Sequence, residues 1–175
     1  MKKYIIAVSI LLTLVGCSAS ASIARAPFKP VVKTQAVEQD TFLTTIKIHN
    51  NTKQMNKVIK YLKTRVGKTP YVFSGSSPRG WDCSGLVRWT YERFGLELPH
   101  SANKQAHVGT RVSKPKVGDI VVFAYPGSTN FYHSAIYIGN GKIINAHNGA
   151  SDTIIQPLSD YKNSQIRYVR VVPTL

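Results

Sequence analysis

An α+β domain, with helices packed on a central antiparallel sheet, is the fold that this sequence of 175 residues predicts. Three observations carry the expectation. Apolar residues at spacings of three and four mark two helices early in the chain, over 52–67 and 83–94. Segments rich in β-branched and aromatic residues follow at 118–125, 131–139, 142–148 and 166–172. Gly139-Asn140-Gly141-Lys142 ties the middle two into a hairpin, because Asn and Gly tolerate the positive φ of a tight turn. Helices first and a meander of strands afterwards is the order of an α+β domain.

The chain opens "MKKYIIAVSILLTLVGCSAS". Lys2 and Lys3 precede an apolar run from Tyr4 to Val15. That run is shorter than the roughly 20 residues that span a bilayer core and suits a secretion signal over residues 1–16. Leu14-Val15-Gly16-Cys17 resembles a bacterial lipobox. The resemblance implies cleavage before Cys17 and acylation of its sulfur and amine; several acyl chains anchor a protein stably where one binds only marginally. Ser18, in place of Asp, implies by the same resemblance a periplasmic protein anchored in the outer membrane of a Gram-negative cell. Residues 17–52 are then the lipidated cysteine and its tether. Of these, 18–30 are rich in Ser, Ala and Pro, and 41–49, "TFLTTIKIH", alternates in part like a short strand.

One compact domain is expected over 53–175, long enough for a single core. Met55, Val58, Ile59, Leu62 and Val66 share a face of its first helix, and Gly67 is the stop. "TPYVFSGSSPRGW" (69–81) is rich in turn formers and reads as a loop. Leu86, Val87, Thr90, Tyr91 and Phe94 form the inner face of the second helix, which Gly95 ends.

Lys and Arg number 23 against 8 Asp and Glu, a net charge of +15. The basic residues are scattered and follow no nucleic-acid-binding motif. Anionic wall polymer or lipid headgroups are therefore the expected counter-charge, and nucleic acid is not an expected partner. Two cysteines in an oxidising compartment would ordinarily suggest a disulfide. Lipid on Cys17 leaves Cys83 without that partner. With no dense cluster of Cys and His, no metal is expected, and no cofactor.

Cys83 opens the second helix. A thiol attacks as thiolate, its ordinary pKa lies near 8.5, and the unpaired N–H groups and dipole of a helix start favour the charged form. Catalysis also needs an imidazole to take the proton and return it to a leaving group. Of His49, His100, His107, His133 and His147, the last two lie on adjacent hairpin strands, the most rigid placement. A third polar group must fix the imidazole tautomer. Asn145 and His147 each stand an even number of positions from His133. A strict two-residue turn at Asn140-Gly141 would pair 133 with 148 and put both on the wrong face. A catalytic set therefore requires a longer turn or a bulge, and the spacing leaves Asn145 and His147 both open.

"TPYVFSG", "DCSGLVRWTYERFGLELPHSA", "VGDIVVF" and "HSAIYIGNGKIINA", in this order, resemble the NlpC-type cell-wall cysteine peptidases of the papain-like superfamily. The similarity runs from about Met55 to Val171 and is greatest to single-domain lipoproteins that cut peptide cross-links between wall strands. It implies a papain-like NlpC fold with nucleophile Cys83 at a helix N-terminus and His133 as general base and acid. Asn145, at the family's third position, would complete a Cys-His-Asn set, with His147 the alternative. Tyr71, Asp82 and Ser84 match positions that line the site and shape the peptide subsite. The oxyanion hole would come from the Cys83 backbone N–H with help from Tyr71. The chain departs from the family at Phe73-Ser74-Gly75, His133-Ser134-Ala135 and Leu98-Pro99-His100, where Trp or Tyr then Gly-Gly, His-Val-Gly and Leu-Pro-Arg are usual.

The implied activity is a monomeric peptidoglycan endopeptidase acting on stem peptides, at the D-Ala–diaminopimelate cross-link or, as the alternative, at γ-D-Glu–diaminopimelate. The rival from another class is a non-catalytic wall-binding lipoprotein of the same fold.

Overall fold

The computed structural model describes residues 32–174. The elements are α1 (Val32–Lys63), β1 (Ser76–Ser77), β2 (Gly80–Trp81), α2 (Cys83–Glu92), α3 (Ala102–Gln105), β3 (Thr110–Val112), β4 (Ile120–Ala124), β5 (Phe131–Gly139), β6 (Lys142–His147), β7 (Asp152–Pro157) and β8 (Gln165–Arg170). Single 3-10 turns follow β6 and β7, at Asn148–Ala150 and Leu158–Tyr161. The six long-range strands form one antiparallel sheet in the order β3-β8-β4-β5-β6-β7. Strands β4 to β7 are a meander, and β8 returns to the far side of β4. This is the α+β architecture, helices packed on a central antiparallel sheet, that the sequence predicts.

Both faces of the sheet are covered, which is why β4, "IVVFA", is apolar at every position instead of alternating. Ile120, Val122 and Ala124 join Ile136, Ile144 and the inner faces of α1 and α2 in the main core. Val121, Phe123, Ala135 and Ile143 form a second cluster on the opposite face, against Tyr161, Ile166 and Tyr168.

The short strand expected at 41–49 is instead part of α1, which runs unbroken across the expected tether boundary at 52. No Gly or Pro interrupts 31–66, so nothing stops the helix that Met55, Val58, Ile59 and Leu62 anchor. Exposed Leu43 and Ile46 have no sheet to cover a strand face, and Thr45 and Thr52 bond back to the carbonyls four residues earlier. The helix ends at Lys63, and tight turns carry the chain to Gly67 at φ +66°. The signal segment, Cys17 and Ser18 lie outside the described residues.

The hairpin contains the irregularity that the site requires. Gly139 pairs with Lys142 around Asn140 and Gly141, both at positive φ, a two-residue turn. Beyond it the ladder shifts by one at Ile138, so that Tyr137 pairs with Ile143 and Ile136 with Ile144. The bulge brings 133 level with 147 and puts His133, Asn145 and His147 on one face. On its other edge β5 shifts register against β4 between Phe123 and Ala124, leaving Tyr132 as the extra residue beside His133.

Candidate active site

The start of α2 is fixed by Asp82. Its Oδ1 accepts the Gly85 N–H (2.7 Å) and the Ser84 hydroxyl (3.0 Å) and pairs with His100 Nε2 at 2.9 Å. Its Oδ2 accepts the Ser74 N–H at 2.9 Å. This is helix capping with the loop and a neighbouring histidine tied to the same carboxylate. Gly85 has no alternative here, since a Cβ would run into the Gly75 carbonyl. Trp81, wholly buried, donates through Nε1 to Thr153 Oγ1 at 2.7 Å, and Thr153 donates to the Thr69 carbonyl, so the segment before Cys83 is also tied to β7.

Cys83 is half-buried at the first position of α2 and is a free thiol. Tyr71, Cys83, His133 and His147 line one cleft of about 360 Å³ together with Tyr132 and Tyr161. A larger groove of about 530 Å³ between α1 and α2 is lined by Tyr61, Trp89 and Arg93 among others, and contains neither a cysteine nor a histidine. Asp82 and Ser84, expected to shape the peptide subsite, do not line the cleft. They lie behind Cys83, where the carboxylate serves the helix start and the Ser84 carbonyl accepts from Gln105 Nε2 at 2.9 Å.

His133 lies beside the paired rings of Phe123 and Tyr161, with ring centroids 5.6 and 6.0 Å away. Its Nε2 is 3.0 Å from Asn145 Oδ1, a bond in which the imidazole donates and the amide oxygen accepts. The proton therefore resides on Nε2, and Nδ1 keeps its lone pair. Asn145 is fully buried and, by this bond, is the side chain that orients the ring. His147 is 6.1 Å from His133, edge-on, and its Nδ1 instead accepts the Ala150 N–H at 3.2 Å. Of the two candidates that spacing left open, Asn145 holds His133 and His147 caps the next turn.

Burial decides the electrostatics of both groups. It pushes the Cys83 thiol up, the Asp82 carboxylate adds to the rise, and the Ser134 and Ser84 N–H groups oppose it. Desolvation thus works against the charged form that the helix start favours, and an imidazole is needed besides, as the sequence leads one to expect. Burial lowers His133 from 6.5 to about 4; the Asn145 bond opposes this and His147 adds to it. Each group by itself is held neutral at pH 7. Among the described residues no group of three or more His, Cys, Asp and Glu is placed to hold a metal ion.

Comparison with known proteins points to one family. The murein DD-endopeptidase MepH of Escherichia coli is 37% identical over 112 residues, which is 61% of this chain and 40% of that one. The bifunctional muramidase/DL-endopeptidase CwlT of Bacillus subtilis is 39% identical over 83 residues, 45% of this chain and 25% of that one. An NlpC/P60 family protein from Bacillus cereus superposes with a TM-score of 0.62 at 29% identity, over 68% of this chain and 40% of that one. Across these curated relatives the chain spans a quarter to two-fifths of their length. Residues 67–172 match the NlpC/P60 family, a stretch that holds Tyr71, Cys83, His133 and Asn145. With more than half its length covered by that match, the chain belongs to the NlpC/P60 family.

Proposed function

We propose that the protein is a cysteine peptidase that hydrolyses amide bonds in peptidoglycan stem peptides, with Cys83, His133 and Asn145 as its catalytic set. The observation that carries this reading is the Nε2–Oδ1 bond between His133 and Asn145 in the cleft that Cys83 also lines. Because Nε2 is engaged, Nδ1 is the atom free to accept the thiol proton. As substrate displaces water, that proton passes to Nδ1 and the sulfur adds to the scissile carbonyl carbon. The Cys83 N–H, unpaired at the helix start, stabilises the oxyanion. His133 then protonates the departing amine, leaving a thioester on Cys83. A water that loses its proton to Nδ1 adds to the thioester, and the carboxylate product and free thiol follow.

A neutral resting pair suits this sequence, since charge forms only where donors await it. The D-Ala–diaminopimelate cross-link is the favoured bond and γ-D-Glu–diaminopimelate the alternative; relatives named DD- and DL-endopeptidases support one each. We further propose that Cys17 carries lipid and holds the enzyme on the outer membrane, facing the wall from the periplasm. The test is digestion of purified wall by the wild-type protein and by Cys83→Ala, with products identified by mass. Products that reveal a new amine terminus on diaminopimelate, absent with the variant, are expected, and the acyl fragment left behind distinguishes the bonds. No product with wild-type protein would sink the enzymatic reading in favour of a wall-binding one.

A further inference from the structure

The amide that orients His133 is itself held. Rotating Asn145 by a half-turn about its last bond would present NH2 to the imidazole and reverse the tautomer. Its Nδ2 donates to Gln156 Oε1 on β7 at 3.2 Å, and the same Oε1 accepts the Tyr161 hydroxyl at 3.2 Å. The ring of Tyr161 lies parallel to the imidazole, planes 10° apart, and packs on Phe123 with centroids 4.0 Å apart. One tyrosine therefore lies parallel to the imidazole, with centroids 6.0 Å apart, and is linked through Gln156 and Asn145 to its Nε2.

We propose that Gln156 and Tyr161 are positioning residues for His133, fixing the Asn145 amide so that Nε2 keeps its proton and Nδ1 its lone pair. The proposal rests on the reading of His133 as the base that serves Cys83. Gln156 Oε1 can only accept, so both donors aimed at it are fixed in direction: Asn145 must turn its nitrogen to Gln156 and its oxygen to His133. Burial pushes Tyr161 up to about 12, with Tyr132, Asp160 and Cys83 adding to the rise, so the hydroxyl remains a donor at working pH. The other titratable side chains around the cleft are Cys83, Tyr71, Tyr132 and His147. None of them hydrogen-bonds Asn145 or Gln156 among the described residues. Gln156 is half-exposed on an edge strand, so its substitution leaves the core intact.

The test uses the full chain with Gln156→Leu, Gln156→Glu and Tyr161→Phe. Two quantities are read: wall-peptide turnover, and the pH profile of iodoacetamide alkylation followed by mass on the Cys83 peptide. Gln156→Leu should lower kcat about 10-fold or more with KM unmoved, the scale of lost orientation of a functional imidazole. It should also move the alkylation profile to higher pH, because a misoriented His133 is a poorer acceptor for the thiol proton. The Gln156→Glu carboxylate accepts both bonds and should stay within about threefold of wild type, with Tyr161→Phe between the two.

Wild-type turnover and profile in Gln156→Leu would overturn the proposal. So would an equal fall in the Leu and Glu variants with the profile unmoved, which is what a merely structural residue gives. If Gln156→Leu fails to fold, an unmoved profile in Tyr161→Phe overturns it. A profile shift in a protein that cleaves no wall peptide leaves the positioning network standing and removes only the proposed activity.

Discussion

Mild acid should destabilise this protein through His133. In the fold the imidazole is pushed from 6.5 down to about 4, chiefly by burial, with His147 adding to the fall and the Asn145 bond opposing it. The unfolded chain returns it to the ordinary value. The folded pKa is the lower one, so between 6.5 and 4 the unfolded chain binds the proton that the fold refuses. Stability is thus intact above 6.5 and is lost as the pH falls to about 4. At 1.36 kcal/mol per pH unit the interval is worth about 3 kcal/mol, a large part of the 5–15 kcal/mol typical of a domain. Urea midpoints of the wild type and His133→Gln, each at about pH 7 and about pH 4, isolate this contribution. The glutamine can still donate to Asn145 but does not titrate, and changes at other carboxylates cancel in the comparison. The wild type should lose about 3 kcal/mol more than the variant. Equal losses would refute the claim that burial holds His133 neutral.

Gly85→Ala should cost about 1–3 kcal/mol, because its Cβ meets the backbone carbonyl of Gly75, which cannot swing aside as a side chain would; a urea midpoint measures it. Asp82→Ala should move two quantities in opposite directions. Stability falls by about 1–2 kcal/mol with the lost cap, while Cys83 alkylates faster at neutral pH because a nearby negative charge is gone. Slower alkylation would show that the carboxylate assists the thiolate. Cys17→Ala should abolish incorporation of labelled fatty acid and release the protein from membranes, and retained label would place the acceptor elsewhere.

Local patterns made much of the site legible. Cys83 at a helix start and His133 and Asn145 on a hairpin follow from helical spacing, strand content and an Asn-Gly turn. Strand parity even demanded the bulge that Ile138 supplies. What escaped depends on contacts between segments. Strand β7, "DTIIQP", carries Asp, Gln and Pro in six residues and pairs well only because β6 lies beside it, so Gln156 gave no signal. Tyr161 sits in a 3-10 turn and meets His133 only through the sheet's second face. Partial alternation at 41–49 suggested a strand, but the absence of a breaker and the anchored turns beyond it extended α1. Desolvation of Cys83 and His133 is likewise a property of the packed interior, invisible to motif and spacing.

The bulge at Ile138 also makes register, more than residue type, the vulnerable quantity in this hairpin. Asn140-Gly141 could be exchanged for another pair that tolerates positive φ with little effect on the chemistry. Ironing out the bulge while every residue is kept would pair 133 with 148 and turn the faces of β6 over relative to β5. Ile144 and Ala146 would then face the imidazole, while Asn145 and His147 would be driven into the apolar layer beneath α2. A slip of one residue would thus exchange the polar and oily faces of the strand, removing the histidine's partner and spoiling the core in one step. Deleting Ile138, by contrast, takes away the bulge and its extra residue together and keeps 133 level with 147.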